Sequence, residues 1–152
     1  MGRAALFIDR DGTINRDCPY CRDPSQLYIY EDAVELIREY NKKGYLVVIV
    51  TNQSGIGRGY FSESELKAFN DALLNELRLR GARVDALYYC PHTPDDRCGC
   101  RKPNTALVER AVKELDIDLS RSVVAGDRED IDGELARRLG IPFIHLNRKV
   151  EP

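Results

Sequence analysis

The feature that most constrains this chain is the regular alternation of short apolar runs with amphipathic helical patterns. Apolar runs of strand length occur at residues 4–8, 45–50, 86–89, 122–125 and 143–146. Apolar residues recur at helical spacing in 32–43, from Ser62 to a stop at Gly81, in 105–115 and in 131–139. The run at 45–50 is apolar on both faces, as a strand covered by helices on both sides requires. This order predicts an α/β domain with a mainly parallel five-stranded sheet.

Local signals predict where some of these elements end. Ser62 and Glu65 have the spacing of a capping box, which would begin the helix that follows. Gly44 and Gly140 each stand directly after a helical pattern and are expected to end it. The tail after Asn147 is short and charged, so we expect it to fray.

Length, charge and cysteine content limit the class of protein. The 152 residues fit one domain over 1–152. There are 23 basic and 25 acidic residues, and this balance argues against nucleic acid or a membrane surface as a partner. Residues 1–3 lead at once into a strand-like run, which favours a cytoplasmic location over a secretory leader. The five cysteines form two clusters, which suggests a metal site more than disulfides.

Polar residues follow the predicted strands where each strand ends. Asp9 and Asp11 follow the first strand, Thr51 follows the second, Lys102 lies in the loop after the third, and Asp127 follows the fourth. Ligands of open α/β sheets bind beyond the carboxyl ends of the strands, so these side chains are expected to meet at one edge. The sequence therefore predicts a site there.

The residue types at this edge suit the hydrolysis of a phosphate ester. Three carboxylates in one crevice would repel each other unless a hard cation such as Mg²⁺ joined them. The hydroxyl of Thr51, with the glycine-rich turn after it, can hold phosphoryl oxygens, and Lys102 can balance their charge. One aspartate can attack phosphorus and form an aspartyl-phosphate. The other aspartate of the Asp-x-Asp pair can act as general acid and base.

These motifs resemble those of the haloacid dehalogenase (HAD) superfamily. Asp9-Arg10-Asp11-Gly12-Thr13 is similar to its first motif, and Thr51, Lys102 and Gly126-Asp127 are similar to the other three. The resemblance implies a Rossmann-like, HAD-like three-layer sandwich and a phosphatase. It implies that Asp9 is the nucleophile and Asp11 the general acid and base, with Thr51 and Lys102 on the phosphoryl group. It also implies that Asp9, the main-chain carbonyl of Asp11, and Asp127 hold Mg²⁺.

One position departs from the pattern of these relatives. They tend to carry a second aspartate four residues after the fourth-motif aspartate, and here that position is Ile131. Counting forward from Asp127 favours Asp130, whereas counting back from residues 139–141 implies a one-residue insertion and favours Asp132. Both assignments stay open. No gap between the motifs is long enough for a separate cap domain, so loops are expected to shape the pocket.

The second cysteine cluster has the composition of a structural zinc site. Cys90, His92, Cys98 and Cys100 supply three thiols and an imidazole within eleven residues. The loop resembles one branch of the superfamily, the histidinol-phosphate and heptose-bisphosphate phosphatases, in which zinc organises a loop beside the active site. Cys18 and Cys21 are expected to be free or occasionally disulfide-bonded thiols near the same site.

The sequence points to two substrates. The turn over 51–59 resembles the heptose-bisphosphate enzymes, while the short zinc loop and Arg128 resemble the histidinol-phosphate enzymes. We therefore expect a small-molecule phosphate ester, histidinol phosphate, with D-glycero-D-manno-heptose 1,7-bisphosphate as the alternative. A polynucleotide phosphatase and a non-enzymatic phospho-acceptor receiver domain are less favoured. The expected substrate contacts are Asn52, Gln53, Ser54, Arg58 and Arg101.

Overall fold

Five parallel strands form a single sheet in the residues that the computed structural model describes, which are 2–17, 20, 22–93 and 98–148. The strands are β1 (Ala5–Ile8), β2 (Leu46–Asn52), β3 (Ala86–Cys90), β4 (Val123–Gly126) and β5 (Phe143–His145). Their order in the sheet is β3-β2-β1-β4-β5, and every pairing is parallel. The predicted α/β fold with a five-stranded sheet is confirmed.

Helices cover both faces of this sheet. They are α1 (Glu31–Lys42), α2 (Ser54–Gly57), α3 (Glu63–Leu79), α4 (Ala106–Leu115) and α5 (Glu134–Leu139). Short 3₁₀ turns occur at Pro24–Gln26 and Leu119–Arg121. The one-turn helix α2 and both 3₁₀ turns were not predicted, because a single turn is too short to show an apolar period.

Alternation along the strands builds two separate cores. Leu6 and Ile8 of β1 point to the face covered by α1 and α3. Ala5 and Phe7 point to the opposite face, where α4 and α5 pack. Successive strand side chains lie on opposite faces, so a strand between two helical layers must be apolar throughout. This produces the three-layer sandwich expected from the sequence.

The predicted helix over 131–139 has an irregular beginning. Glu129–Gly133 forms a π-helical turn, and only then does α5 begin. The amide of Gly133 donates to the carbonyl of Arg128, five residues earlier, at 3.2 Å. A π turn accommodates one extra residue in a helix, and such turns are frequent at functional sites. The one-residue insertion considered from the sequence therefore lies here.

Short loops take the place of a cap domain in the part of the chain described. Between β1 and α1 the described residues form one 3₁₀ turn and two isolated bridges, Asp11 with Asn15 and Asn15 with Ile29. Between β2 and β3 lie only α2 and α3. None of the described helices has the length and apolar character needed to cross a bilayer.

The expectation that the tail frays after Asn147 is wrong at its first residue. The side chain of Arg148 is only 12% exposed and forms an ion pair with Asp32 at 2.7 Å. Residues 149–152 lie outside the described part of the chain.

Candidate active site

A cavity of about 440 Å³ opens at the carboxyl edge of the sheet. Five side chains predicted from the sequence line it: Asp9, Asp11, Thr51, Lys102 and Asp127. They come from the ends of three strands and the loop after a fourth, because every strand of the sheet points the same way. The predicted convergence of these residues at one edge is what the structure shows.

A buried lysine and two carboxylates form the centre of the cavity. Lys102 is 4% exposed, and its Nζ lies 2.9 Å from Asp9 Oδ1 and 2.9 Å from Asp132 Oδ1. Burial disfavours the ammonium, but the two carboxylates outweigh it and raise the pKa of Lys102. Burial, with the charge of Asp132, raises the pKa of Asp9 to about 7 even though Lys102 acts in the opposite direction. The two carboxylates thus carry more negative charge than the single lysine neutralises.

Three carboxylates in this cavity could share a cation. Oxygen atoms of Asp9, Asp127 and Asp132 lie within 4.8 Å of one another. Thr13 fixes Asp127 at two points, since its hydroxyl donates to Asp127 Oδ1 at 2.8 Å and accepts from the Asp127 amide at 3.0 Å. Burial raises the pKa of Asp127, against the effect of the Thr13 bond. Grouped, partly desolvated carboxylates are the oxygen ligands that Mg²⁺ takes, so the residues fit that ion.

Of the two aspartates left open by the sequence, only Asp132 reaches the centre. It is 1% exposed and bonds Lys102, whereas Asp130 is exposed and pairs with Arg128 at 2.6 Å. The π turn causes this difference, because the additional residue turns Asp130 outward and brings Asp132 inward. Arg128 itself lines the cavity.

Two glycines leave room for these carboxylates. Gly12 has a φ of 82°, and a Cβ there would lie 2.6 Å from Asp127 Oδ2. A Cβ at Gly126 would overlap the carboxylate of Asp132. Close packing against the acids therefore requires both glycines, and Gly12 is also required by its positive φ.

Asp11 is held by four hydrogen-bond donors. Its Oδ1 accepts from Arg10 Nε and Asn15 Nδ2, both at 3.0 Å. Its Oδ2 accepts from Arg10 Nη2 at 2.9 Å and from Gln53 Nε2 at 3.0 Å. Arg10 is fully buried, and sequence reasoning did not single it out, because an arginine in a polar loop is ordinarily solvated.

The residues expected to touch substrate divide into two groups. Gln53, Ser54 and Arg101 line the cavity, with Gln53 also donating to Thr51 Oγ1 at 3.0 Å. Asn52 lines it as well, but its side chain is bonded to the main chain of Lys102. Its Oδ1 accepts from the Lys102 amide at 2.8 Å, and its Nδ2 donates to the Lys102 carbonyl at 3.2 Å. Arg58 is exposed and is absent from the described lining.

Two lining residues were not predicted. Asp17 and Tyr20 enter the cavity from the loop after β1, and Tyr20 packs edge-on against Tyr60 at 4.6 Å. Burial and the charges of Asp11 and Asp127 raise the pKa of Asp17. Neither residue belongs to a motif, so only their position in a loop expected to shape the pocket could have suggested them. Cys18 and Cys21, predicted as thiols in this loop, lie outside the described residues.

The four predicted zinc ligands form one cluster. The ring Nδ1 of His92 lies 3.2 Å from Cys100 Sγ and 3.5 Å from Cys90 Sγ. Cys98 Sγ lies 3.4 Å from Cys100 Sγ and 3.3 Å from Cys90 Sγ. The sulfurs of Cys90 and Cys100 are close enough to pair as a disulfide, which would exclude zinc, because only the thiolates bind the metal; Cys98 is a free thiol. One nitrogen and three sulfurs so closely grouped are the donors of a tetrahedral Zn²⁺ site, so the residues fit zinc.

The cysteine cluster is connected to the centre of the cavity in two ways. Cys100 is two residues from Lys102, whose main chain is fixed by Asn52. On the other side of the loop, the amide of Gly57 in α2 donates to the carbonyl of Pro91 at 2.9 Å, and a Cβ at Gly57 would lie 2.7 Å from that oxygen. The loop is thus held between Lys102 and the turn after β2.

Comparison with protein-family models assigns this chain to a family. Residues 13–140 match the model of the haloacid dehalogenase-like hydrolases. The match includes Thr51, Lys102 and Asp127, and begins four residues after Asp9.

Individual relatives of this chain are named as heptose-bisphosphate phosphatases. A Thermoplasma volcanium protein described as a probable D-glycero-D-manno-heptose-1,7-bisphosphate 7-phosphatase is 55% identical over 138 residues, covering 91% of this chain and 94% of the relative. The D-glycero-beta-D-manno-heptose-1,7-bisphosphate 7-phosphatase of Haemophilus ducreyi is 41% identical, covering 86% and 76%. The crystal structure of a D,D-heptose 1,7-bisphosphate phosphatase from B. bronchiseptica, complexed with magnesium and phosphate, superposes with a TM-score of 0.83 at 32% identity, covering 93% and 79%.

Proposed function

The chain belongs to the haloacid dehalogenase-like hydrolases, and we propose that it removes the 7-phosphate of D-glycero-D-manno-heptose 1,7-bisphosphate. Its family and relatives make it a phosphoric monoester hydrolase. The observation that carries the substrate is the 55% identity to a heptose-bisphosphate phosphatase over nearly the whole of both chains. These relatives favour the alternative substrate over histidinol phosphate, which the short zinc loop had suggested.

The first half of the reaction forms a bond between Asp9 and phosphorus. Asp9 attacks while the bond from phosphorus to the sugar oxygen breaks, and Asp11 gives its proton to that oxygen. Lys102, 2.9 Å from Asp9 Oδ1, is placed to offset negative charge on the phosphoryl oxygens. Thr51 lines the cavity beside them.

The second half releases phosphate. Water attacks the phosphorus of the aspartyl-phosphate, the bond from phosphorus to Asp9 breaks, and Asp11 takes the proton of the water. Free phosphate leaves and both aspartates return to their starting state. The other product is the heptose 1-phosphate, which keeps the phosphate at position 1.

Mg²⁺ would be held by Asp9, Asp127 and the main-chain carbonyl of Asp11, with Asp132 beside them. When bound, the ion neutralises the carboxylates and phosphoryl oxygens that would otherwise repel one another. Burial, together with the charge of Asp132, raises the pKa of Asp9 to about 7, and a cation beside these carboxylates would favour the ionised form.

Arg101 is the residue that we expect to receive the second phosphate of a bisphosphate. Arg101 lines the cavity, and burial together with the nearby charge of Arg58 lowers the pKa of Arg101. Two neighbouring guanidinium groups are stabilised by an anion between them. This supports a bisphosphate over histidinol phosphate, which carries a single phosphate and a cationic amine.

Zn²⁺ on Cys90, His92, Cys98 and Cys100 would have a structural role. Four protein ligands leave no open position for substrate, which is typical of structural zinc. Because Lys102 follows the cluster by two residues, the metal would hold the loop that carries the catalytic charge.

The substrate is tested by steady-state kinetics with Mg²⁺ on the heptose bisphosphate, on histidinol phosphate and on a panel of sugar monophosphates. We expect the highest kcat/KM for the bisphosphate, with release of the 7-phosphate seen by phosphorus NMR. Arg101→Met should raise KM for the bisphosphate about tenfold or more and alter monophosphate hydrolysis little. Asp9→Asn should abolish turnover of every substrate in a folded protein. A preference for histidinol phosphate would overturn the substrate assignment.

A further inference from the structure

Among the described residues, Arg10 is the largest side chain that is completely buried, and its charge faces the proposed active site. It is 0% exposed and gives two hydrogen bonds to the carboxylate of Asp11. A buried arginine is costly unless its donors are matched, so a position of this kind requires a matching set of acceptors. A planar guanidinium facing a carboxylate with two parallel bonds fixes the orientation of both groups.

Helix α3 completes the surroundings of this arginine. Asn70 Oδ1 accepts from Arg10 Nη1 at 2.7 Å, and the guanidinium carbon lies 4.7 Å from the centre of the Phe69 ring. Asn70 is 7% exposed and Phe69 is 0% exposed. They lie about sixty positions away in the chain, so the contact is tertiary. Arg10 is thus held on one side by α3 and holds Asp11 on the other.

We propose that Arg10, fixed by Asn70 and Phe69, is the positioning residue of the general acid and base. This inference rests on the proposed function, which gives that role to Asp11. An ionised carboxylate accepts hydrogen bonds only, and all four bonds that Asp11 receives come from donors. A leaving oxygen can therefore contact the Asp11 carboxylate only if one of these donors gives way.

Gln53 is the donor that a leaving oxygen can replace. It lines the cavity and gives Asp11 a single bond, whereas Arg10 gives two. When the leaving oxygen takes the place of the Gln53 amide, Asp11 can direct its proton to that oxygen while the guanidinium still holds the carboxylate. Arg10 therefore sets the direction of proton transfer without contacting substrate.

Leaving-group dependence tests this role independently of the natural substrate. Phenyl phosphate and p-nitrophenyl phosphate are nearly the same size, but nitrophenolate departs readily without a proton and phenolate does not. Loss of a positioned acid therefore slows phenyl phosphate more, whereas general structural damage slows both alike. The readout is kcat/KM for the nitrophenyl ester divided by kcat/KM for the phenyl ester, measured with Mg²⁺.

Arg10→Lys keeps the positive charge but loses the two-point contact, and we expect it to raise this ratio about tenfold or more. Asn70→Ala should raise the ratio in the same direction in a protein that keeps Arg10, which covers the case that Arg10→Lys does not fold. The matched control is Asn75→Ala, on an exposed turn of α3, where the ratio should not change.

Asp11→Asn distinguishes failure of the positioning role of Arg10 from failure of the acid–base assignment of Asp11. It should raise the ratio at least as much as Arg10→Lys. If Asp11→Asn raises the ratio and neither Arg10→Lys nor Asn70→Ala does, the positioning role is overturned and the proposed mechanism stands. If Asp11→Asn leaves the ratio unchanged, the acid–base assignment of the proposed function fails, and the role of Arg10 fails with it.

Discussion

At the scale of single residues, the choice between two nearby aspartates shows how the backbone decides chemistry. Asp130 and Asp132 are two positions apart, yet one pairs with Arg128 at the surface and the other with buried Lys102. We expect Asp132→Asn to lower Mg²⁺ affinity or activity about 10- to 100-fold, because it removes an acid that orients both the lysine and the cation. Asp130→Asn is the control and should change little.

The measurement is kcat as a function of Mg²⁺ concentration for both variants and the wild type. The Asp132 variant should need more Mg²⁺ and reach a lower maximum. Equal behaviour of the two variants would show that the supporting carboxylate is not where the π turn directs it.

The motif residues could be predicted from the sequence because the ends of the strands determine their position. The buried side chains that hold them in place could not be predicted. Asp9 and Asp127 follow apolar strands, and parallel strands bring them to one edge whatever the loops do. Arg10 was missed because its burial depends on Asn70, in a helix whose face at that point is set by tertiary packing. The choice of Asp132 stayed open because the helical periodicity of the segment does not show where an additional residue enters.

At the scale of secondary-structure elements, α3 begins where its capping box predicts. Ser62 Oγ accepts from the amide of Glu65 at 3.1 Å, and Glu65 Oε1 accepts from the amide of Ser62 at 3.0 Å. We expect Ser62→Ala to lower the free energy of unfolding by about 1 kcal/mol, since an amide at the helix start loses its acceptor.

Ser64→Ala is the matched control for the cap. Ser64 lies in the same exposed turn, and its hydroxyl contacts only the hydroxyl of Ser62 among the described residues. Urea unfolding of both variants gives the comparison. A Ser62 variant as stable as the Ser64 variant would contradict a stabilising cap, and kcat should be the same in both.

The cysteine loop is the element whose metal state should control catalysis. We expect the wild-type protein, purified with reductant, to carry one Zn²⁺ per chain, and Cys98→Ser to lose it. Because Lys102 follows the cluster by two residues, the zinc-free variant should also lose activity, and it should be less stable.

Metal analysis, thiol titration and phosphatase assays on the same samples test this expectation. Cys18→Ser, in the other cysteine pair, should keep both zinc and activity. Unchanged zinc content in Cys98→Ser would refute the ligand set. The wild type without zinc and with the Cys90–Cys100 disulfide formed would point to a redox role for the loop instead.

At the scale of the whole molecule, the order of strands and helices along the chain could be predicted, because apolar residues recur at different spacings in strands and in helices. The run at 45–50 is apolar on both faces, which only a strand between two helical layers can satisfy. A parallel sheet between two layers of helices follows from this, whereas the order of the strands within the sheet was not predicted. The closure of the cavity could not be predicted in detail, because Tyr20 and Asp17 are placed by loop packing, which leaves no periodic signal.

Arg148, after β5, contacts the loop that follows β1. Arg148 Nη2 donates to the carbonyl of Thr13 at 2.8 Å, both oxygens of Asp32 pair with the guanidinium, and its carbon lies 3.9 Å from the centre of the Tyr30 ring. Thr13 in turn holds Asp127 through two hydrogen bonds. The segment after β5 therefore supports the loop that orients a carboxylate of the cation site.

We expect Arg148→Met to lower the free energy of unfolding by about 2 kcal/mol, through the lost hydrogen bonds and ring contact. That corresponds to a fall in Tm of roughly 4–8 °C for a domain of this size. Because Thr13 would be less firmly held, the variant should also need more Mg²⁺ for half-maximal activity. Arg78→Met, at an exposed position of α3, is the control and should change neither quantity. A fall in Tm without a change in Mg²⁺ requirement would show that Arg148 supports the fold but not the site, and no fall at all would contradict both roles.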